Sequence, residues 1–160
     1  MDELSAVWQF LSMFGDIQYW LGFAIGSLII YIILDKKNKK RMSWFIFSLL
    51  PAILFSYQLS YVLKLWFAIP RPCTGLAYCP TDFSFPSGHA AVIFAFATIG
   101  VLNIKRKWLR ASIVLLACLV SVSRIFLIYH TNIDVLAGAA IGVFCAYLIQ
   151  TAYKTFPQLK

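Results

Sequence analysis

Lys105-Arg106-Lys107-Trp108-Leu109-Arg110 separates two long apolar runs, and Lys36-Lys37-Asn38-Lys39-Lys40-Arg41 does the same nearer the N-terminus. These two clusters hold most of the 14 basic residues of the 160-residue chain, and Lys154 and Lys160 lie in the C-terminal tail. Basic clusters between apolar runs are the mark of cytoplasmic loops in a membrane protein. Outward from them, the stretches Ile17–Leu34, Met42–Leu63, Phe83–Ile104, Ala111–Ser123 (continuing through Tyr129) and Val135–Tyr153 are mostly uncharged. Each reaches or approaches the roughly 20 helical residues needed to cross a bilayer. The expected fold is all-α, an integral membrane bundle of five to six transmembrane helices forming a single domain over residues 1–160.

Composition agrees. Charged residues are 12% of the chain, against about 25% in soluble domains. The net charge of +8 does not point to nucleic acid, because orientation of the helices accounts for the clusters. Trp8, Trp20, Trp44, Trp66 and Trp108 all fall near expected segment ends and read as interface residues. The acidic N-terminus (Asp2, Glu3) is unlike a cleavable signal peptide. Residues 4–15 are too short to span and read as an interfacial or re-entrant helix.

With residues 36–41 and 105–110 in the cytoplasm, alternation places the loops around 64–86 and 129–134 outside. Those loops gather the chain's unusual groups: Lys64, Arg71, Asp82 and His89 in one, Arg124, His130 and Asp134 in the other. A cation at the edge of a membrane span needs a reason. Arg124 in particular must face protein or water. Pro70 and Pro72 predict that the preceding helix stops near Ile69. Helical geometry to that point would put Lys64 about 10 Å below Arg71 on nearly one face. Ser87 and Gly88 open the next helix with free N–H groups suited to an anion, and His89 lies in its first turn. Thr131 and Asn132 are good caps for the last helix, with Asp134 in its first turn.

Three cations, two histidines, a carboxylate and a helix start suit a phosphate ester, because arginine forks match phosphate oxygens and lysine adds a point charge. No carboxylate cluster is available for Mg²⁺, so the expected mechanism uses no metal and no cofactor.

These residues resemble the type 2 phosphatidic acid phosphatase superfamily of membrane lipid phosphatases. Lys64 through Arg71-Pro72 is similar to its K-x6-R-P motif, Pro86-Ser87-Gly88-His89 to P-S-G-H, and Ser123-Arg124 through His130 to Asp134 to S-R-x5-H-x3-D. The resemblance implies that His130 attacks phosphorus, Asp134 orients its imidazole, and His89 protonates the leaving oxygen and then activates water. It implies that Lys64, Arg71, Arg124, Ser87 and Gly88 bind the phosphate. The chain departs from the pattern at Ile128, where family members often have Gly, and at Thr131-Asn132, where they often have Tyr-Pro. The implied activity is hydrolysis of a lipid phosphate or diphosphate at the extracytoplasmic face of the cell membrane. Undecaprenyl diphosphate is the first expectation, with phosphatidic acid or phosphatidylglycerol phosphate as the alternative. A silent lipid-phosphate binding or flipping protein, or a phosphatase for soluble esters, are the competing classes.

Asp82 belongs to no motif and reads as a solvated loop residue. Gly138 and Gly142 form a small-residue face for close helix packing within the chain, a homodimer seam being the alternative use. Cys118 and Cys145 read as small apolar residues. Cys73 and Cys79 are candidates for a disulfide if their compartment is oxidising.

Overall fold

The computed structural model describes residues 3–33, 43 and 45–155, and every regular element among them is helical. The Lys36–Arg41 cluster and Trp44 lie outside the described residues. Six α-helices follow in order among the described residues: α1 (Glu3–Met13), α2 (Ile17–Ile33), α3 (Leu50–Phe67), α4 (Gly88–Asn103), α5 (Lys107–Phe126) and α6 (Asn132–Thr155). A π-helical turn, Phe45–Leu49, leads into α3. Pro51 lies two residues beyond it. A proline has no N–H to give to the carbonyl four residues back, and a wide turn is one way the chain accommodates that.

Among the described residues four segments are long and apolar enough to cross a membrane: Ser5–Ile30, Ile46–Phe67, Lys107–Phe126 and Asn132–Thr155, with Gly88–Asn103 shorter. The first takes in most of α1 and α2 and is turned at Phe14–Asp16. Residues 4–15, expected as an interfacial or re-entrant helix, form α1 and the start of the turn after it, and pack along the end of α5. Trp8 stacks on Phe126 at 4.5 Å, Ser12 meets Arg124, and the turn at Gly15 comes up against Val120.

α4 is the central helix. Small residues cover its surface, and Ala90, Ala91, Val92, Ile93, Ala95, Ala97, Ile99 and Gly100 are all buried. Because no side chain holds the neighbours away, α6 comes close enough that a Cβ at Gly138 would sit 2.2 Å from the Ser87 carbonyl oxygen. One at Gly142 would sit 2.2 Å from that of Ala91. The glycine face is thus occupied by this chain's own α4. Leu49, Ala52, Ile53, Val92, Ala95, Ile99 and Ala146 form one core cluster, and Ile93, Ala97, Ala117 and Val120 another.

Outward, Phe55, Leu115, Leu136, Phe144 and Tyr147 are exposed, as expected of helices solvated by lipid. Trp66 and Trp108, at helix ends, are also exposed, at 80% and 62%. Trp8 and Trp20 are not free interface residues: Trp8 stacks on Phe126 and Trp20 packs on Phe96. Away from the loops, Gln150 joins Asn103 through paired amide hydrogen bonds of 3.1 and 3.2 Å and accepts from Ser48. These bonds satisfy polar groups that would be costly if left bare in the bundle.

α5 is 20 residues long, about 30 Å at 1.5 Å per residue. Lys105, Lys107 and Arg110 therefore lie at the far end of the bundle from Arg124, as does Lys154 relative to Asp134 on α6.

Candidate active site

The end of the bundle opposite those basic residues holds a cavity of about 440 Å³. Lys64, Arg71, Gly88, His89, Arg124 and His130 all line it, so three segments distant in sequence meet there. Ser87 and Asp134 lie behind this wall. Ser87 is fully buried, its Oγ accepts the Ala90 N–H at 3.4 Å as the cap of α4, and its own N–H donates to the Asp134 carbonyl at 2.9 Å. The starts of α4 and α6 are thereby tied together.

α3 ends earlier than the prolines predict, at Phe67. Ala68 takes φ 48°, and its N–H closes on the Lys64 carbonyl at 2.9 Å. Arg71 consequently lies on a folded-back loop and not one helical face above Lys64. Cys73 and Cys79 form a disulfide in this loop, and the Phe85–Pro86 peptide is cis.

What joins Lys64 to Arg71 is Asp82, the residue read from sequence as merely solvated. Lys64 Nζ donates to Asp82 Oδ2 at 2.6 Å, and Arg71 donates to Oδ1 from Nη2 at 2.6 Å and from Nε at 3.1 Å. Backbone carbonyls add to this, Phe83 for Lys64 at 2.6 Å and Asp82 for Arg71 Nε at 3.0 Å. Burial alone would raise the Asp82 carboxyl pKa, but the Lys64 and Arg71 contacts outweigh it and hold it below its ordinary value. The sequence did contain a signal for this pairing. Two cations buried at a membrane edge need a compensating charge, and Asp82 is the acid in their own loop.

Arg124, 5% exposed, takes a different arrangement. Nη1 donates to Ser12 Oγ, and the guanidinium lies 4.6 Å over the Tyr129 ring. Its Nε is buried without an acceptor among the described residues, and it forms no ion pair among them. This is a cation with donor capacity to spare beside a polar cavity.

His130 sits on the short link before α6. Nε2 is 3.1 Å from Arg71 Nη1, which also donates to the Tyr129 carbonyl at 2.9 Å. Nδ1 is 3.7 Å from Asp134 Oδ2, beyond hydrogen-bond reach. That carboxylate oxygen accepts from Ser84 Oγ at 2.5 Å and from the Thr131 N–H at 2.7 Å, while Thr131 Oγ1 accepts the Asp134 N–H at 3.3 Å. This reciprocal cap starts α6 and fixes Asp134 beside the imidazole. Burial, followed by the charges of Arg71, Arg124 and Lys64, pushes the His130 pKa down to about 4, against the opposing pull of Asp134.

His89, in the first turn of α4, faces the cavity under the N-terminal turn: a Cβ at Gly15 would lie 2.9 Å from His89 Cβ. Asp16, Gln18, Tyr57 and Tyr61 complete the wall. Sequence reading missed these, together with Ser12 and Ser84, because none sits in a recognisable motif.

A family model described as the PAP2 superfamily matches residues 45–157. The chain belongs to the PAP2 superfamily. As a PAP2 protein it is 28% identical over 156 residues to an undecaprenyl-diphosphatase of Sulfolobus acidocaldarius, covering 96% of this chain and 73% of that one. It is likewise 28% identical over 136 residues to dolichyldiphosphatase 1 of Dictyostelium discoideum, covering 78% and 57% of the two chains. Among solved PAP2 structures, Aquifex aeolicus LpxE superposes with a TM-score of 0.71 at 27% identity, over 94% of this chain and 87% of that one. A PAP2-type phosphatidylglycerolphosphate phosphatase of Bacillus subtilis superposes with a TM-score of 0.80 at 22% identity, over 100% and 81%, which speaks to the fold.

Proposed function

We propose that this PAP2 protein is a membrane lipid phosphatase that hydrolyses a polyprenyl diphosphate through a phosphohistidine, without a metal. The observation that carries this reading is the convergence of Lys64, Arg71, Arg124, His89 and His130 on one cavity. In this mechanism the phosphate lies among the three cations, which draw charge onto its equatorial oxygens as the P–O bond lengthens. His130 Nε2 forms the N–P bond, and His89 gives its proton to the departing oxygen. Water then attacks phosphorus, losing its proton to His89, and the N–P bond breaks to release inorganic phosphate. Asp134 holds the imidazole in place from the side of Nδ1. Among the described residues no three of His, Cys, Asp or Glu are grouped to hold a metal ion, and the three cations supply the charge stabilisation a metal otherwise would.

Lipid is favoured over a soluble ester by what adjoins the cavity. Ile17 and Tyr57 line both the polar cavity and an apolar cleft of about 600 Å³ that includes Leu21, Pro51, Leu54 and Phe55. A headgroup in the first has room for its chain in the second. The undecaprenyl- and dolichyl-diphosphatase relatives favour a diphosphate of this kind. The separation of the cavity from Lys105, Lys107, Arg110 and Lys154 supports an active site on the extracytoplasmic face.

Phosphate release by the purified protein in detergent tests the reading, with EDTA present and with undecaprenyl diphosphate, phosphatidic acid, phosphatidylglycerol phosphate and a soluble sugar phosphate as substrates. Release from the diphosphate in EDTA, lost in His130→Ala, is expected. No release from any lipid would leave a silent lipid-phosphate binder as the better description.

A further inference from the structure

We propose that Asp82 is a resident stand-in for the substrate phosphate, exchanging with it on Lys64 and Arg71 and so limiting how tightly phosphate is held. The inference rests on the phosphatase reading above and concerns the same site. Its first support is the pattern of donors. A phosphate oxygen needs the forked face of Arg71 and the ammonium of Lys64, and Asp82 occupies both, taking Nε and Nη2 of Arg71 on Oδ1 and Nζ of Lys64 on Oδ2. One carboxylate oxygen thereby closes the Nε/Nη2 face of Arg71 that phosphate oxygens would use, and the other closes the ammonium of Lys64.

The second support is which partner is free to leave. The Lys64 and Arg71 side chains are 9% and 5% exposed, whereas that of Asp82 is 49% exposed. The cations also keep backbone anchors that do not depend on the carboxylate: the Phe83 carbonyl for Lys64, and the carbonyls of Asp82 and Tyr129 for Arg71. Rotation of the Asp82 side chain toward water would therefore open the donors while both cations stay in position. Arg124, which forms no ion pair among the described residues, marks where an incoming anion meets uncompensated charge. After hydrolysis the carboxylate competes with inorganic phosphate for the same donors and favours its departure. Asp82 is in this sense a positioning residue that acts through Lys64 and Arg71.

The test is inhibition of the full-length protein in detergent by inorganic phosphate and by orthovanadate, compared between wild type and Asp82→Asn. The amide keeps the shape but loses the charge, and both inhibition constants are expected to fall about tenfold, the scale of one charged pair. KM for undecaprenyl diphosphate is expected to fall with them, and Asp82→Glu is expected to restore wild-type inhibition. Unchanged or weaker inhibition in Asp82→Asn, with a melting temperature equal to wild type, would overturn the proposal and leave Asp82 as a fixed brace. Should Asp82→Asn fail to give a monodisperse protein, Asp82→Ser carries the same expectation and the same contrary result. Wild type that neither turns over a lipid phosphate nor binds vanadate would instead sink the phosphatase reading itself.

Discussion

Arg71 Nη1 and His130 Nε2 are 3.1 Å apart. Because a guanidinium can only donate, the imidazole nitrogen facing it must be the acceptor, and the proton of the neutral ring is on Nδ1. Arg71 therefore selects the tautomer whose Nε2 lone pair points into the cavity, the form a nucleophile requires. The same guanidinium also covers that lone pair in this structure. Arg71→Lys keeps the charge but loses the fork, and is expected to lower kcat/KM by about 10²-fold or more. Steady-state phosphate release in detergent measures this; a loss under threefold would show that a point charge suffices.

A second prediction concerns the contact that brings two motifs together. A Cβ on Gly138 meets the Ser87 carbonyl oxygen at 2.2 Å and one on Gly142 meets that of Ala91 at 2.2 Å, and neither backbone atom can rotate aside. Gly138→Ala and Gly142→Ala are each expected to destabilise by about 3 kcal/mol, at the upper end of what overpacking costs. Gly138→Ala should also lower activity, since it pushes apart the Ser87–Asp134 backbone bond. Gly100→Ala is the control: its nearest neighbour is the Ile113 Cδ1 methyl at 3.2 Å, which can yield. Thermal melting by size-exclusion in detergent compares the three, and equal losses would refute the steric account.

The helices were legible because lipid enforces a simple grammar of apolar runs bounded by charge, and the site because its residue types are too costly at a membrane edge to lack a purpose. Ser87, Thr131 and Asp134 start their helices where cap chemistry predicts. Asp82 was misread because its role depends on a loop fold that spacing does not reveal, although the unbalanced charge of Lys64 and Arg71 pointed to it. The end of α3 was misplaced for a related reason. Proline restricts the residue before it, but the chain had already turned at Ala68, which adopts φ 48°. The N-terminal contribution was invisible because Gly15 acts through the absence of a side chain.

Ile128 gives a third prediction. It adopts φ 58°, a left-handed conformation that is poor for a β-branched residue and easy for glycine. The residue is 49% exposed, so little packing is lost on truncation. Ile128→Gly is expected to raise stability by about 1 kcal/mol, the strain relieved less the entropy of the freer unfolded chain. A melting temperature below that of wild type would show that the Ile128 side chain has a packing role outweighing the strain.

The last prediction follows from the buried imidazole of His130, the proposed nucleophile. Burial and the neighbouring cations hold the His130 pKa at about 4, below its ordinary value of 6.5. Between those values the unfolded chain binds a proton at this histidine that the folded chain does not, so the sign is fixed: this residue's contribution to stability is intact above pH 6.5 and is lost as pH falls through about 4. Other groups also titrate in that window, so the contribution is read by difference against His130→Asn, which carries a polar side chain without the titration. The melting temperature of wild type relative to this variant is expected to decline as pH is lowered from 7 to 4. A constant difference across that range would mean that His130 protonates in the folded protein as readily as in the unfolded one, and that burial and the three cations do not keep the imidazole neutral.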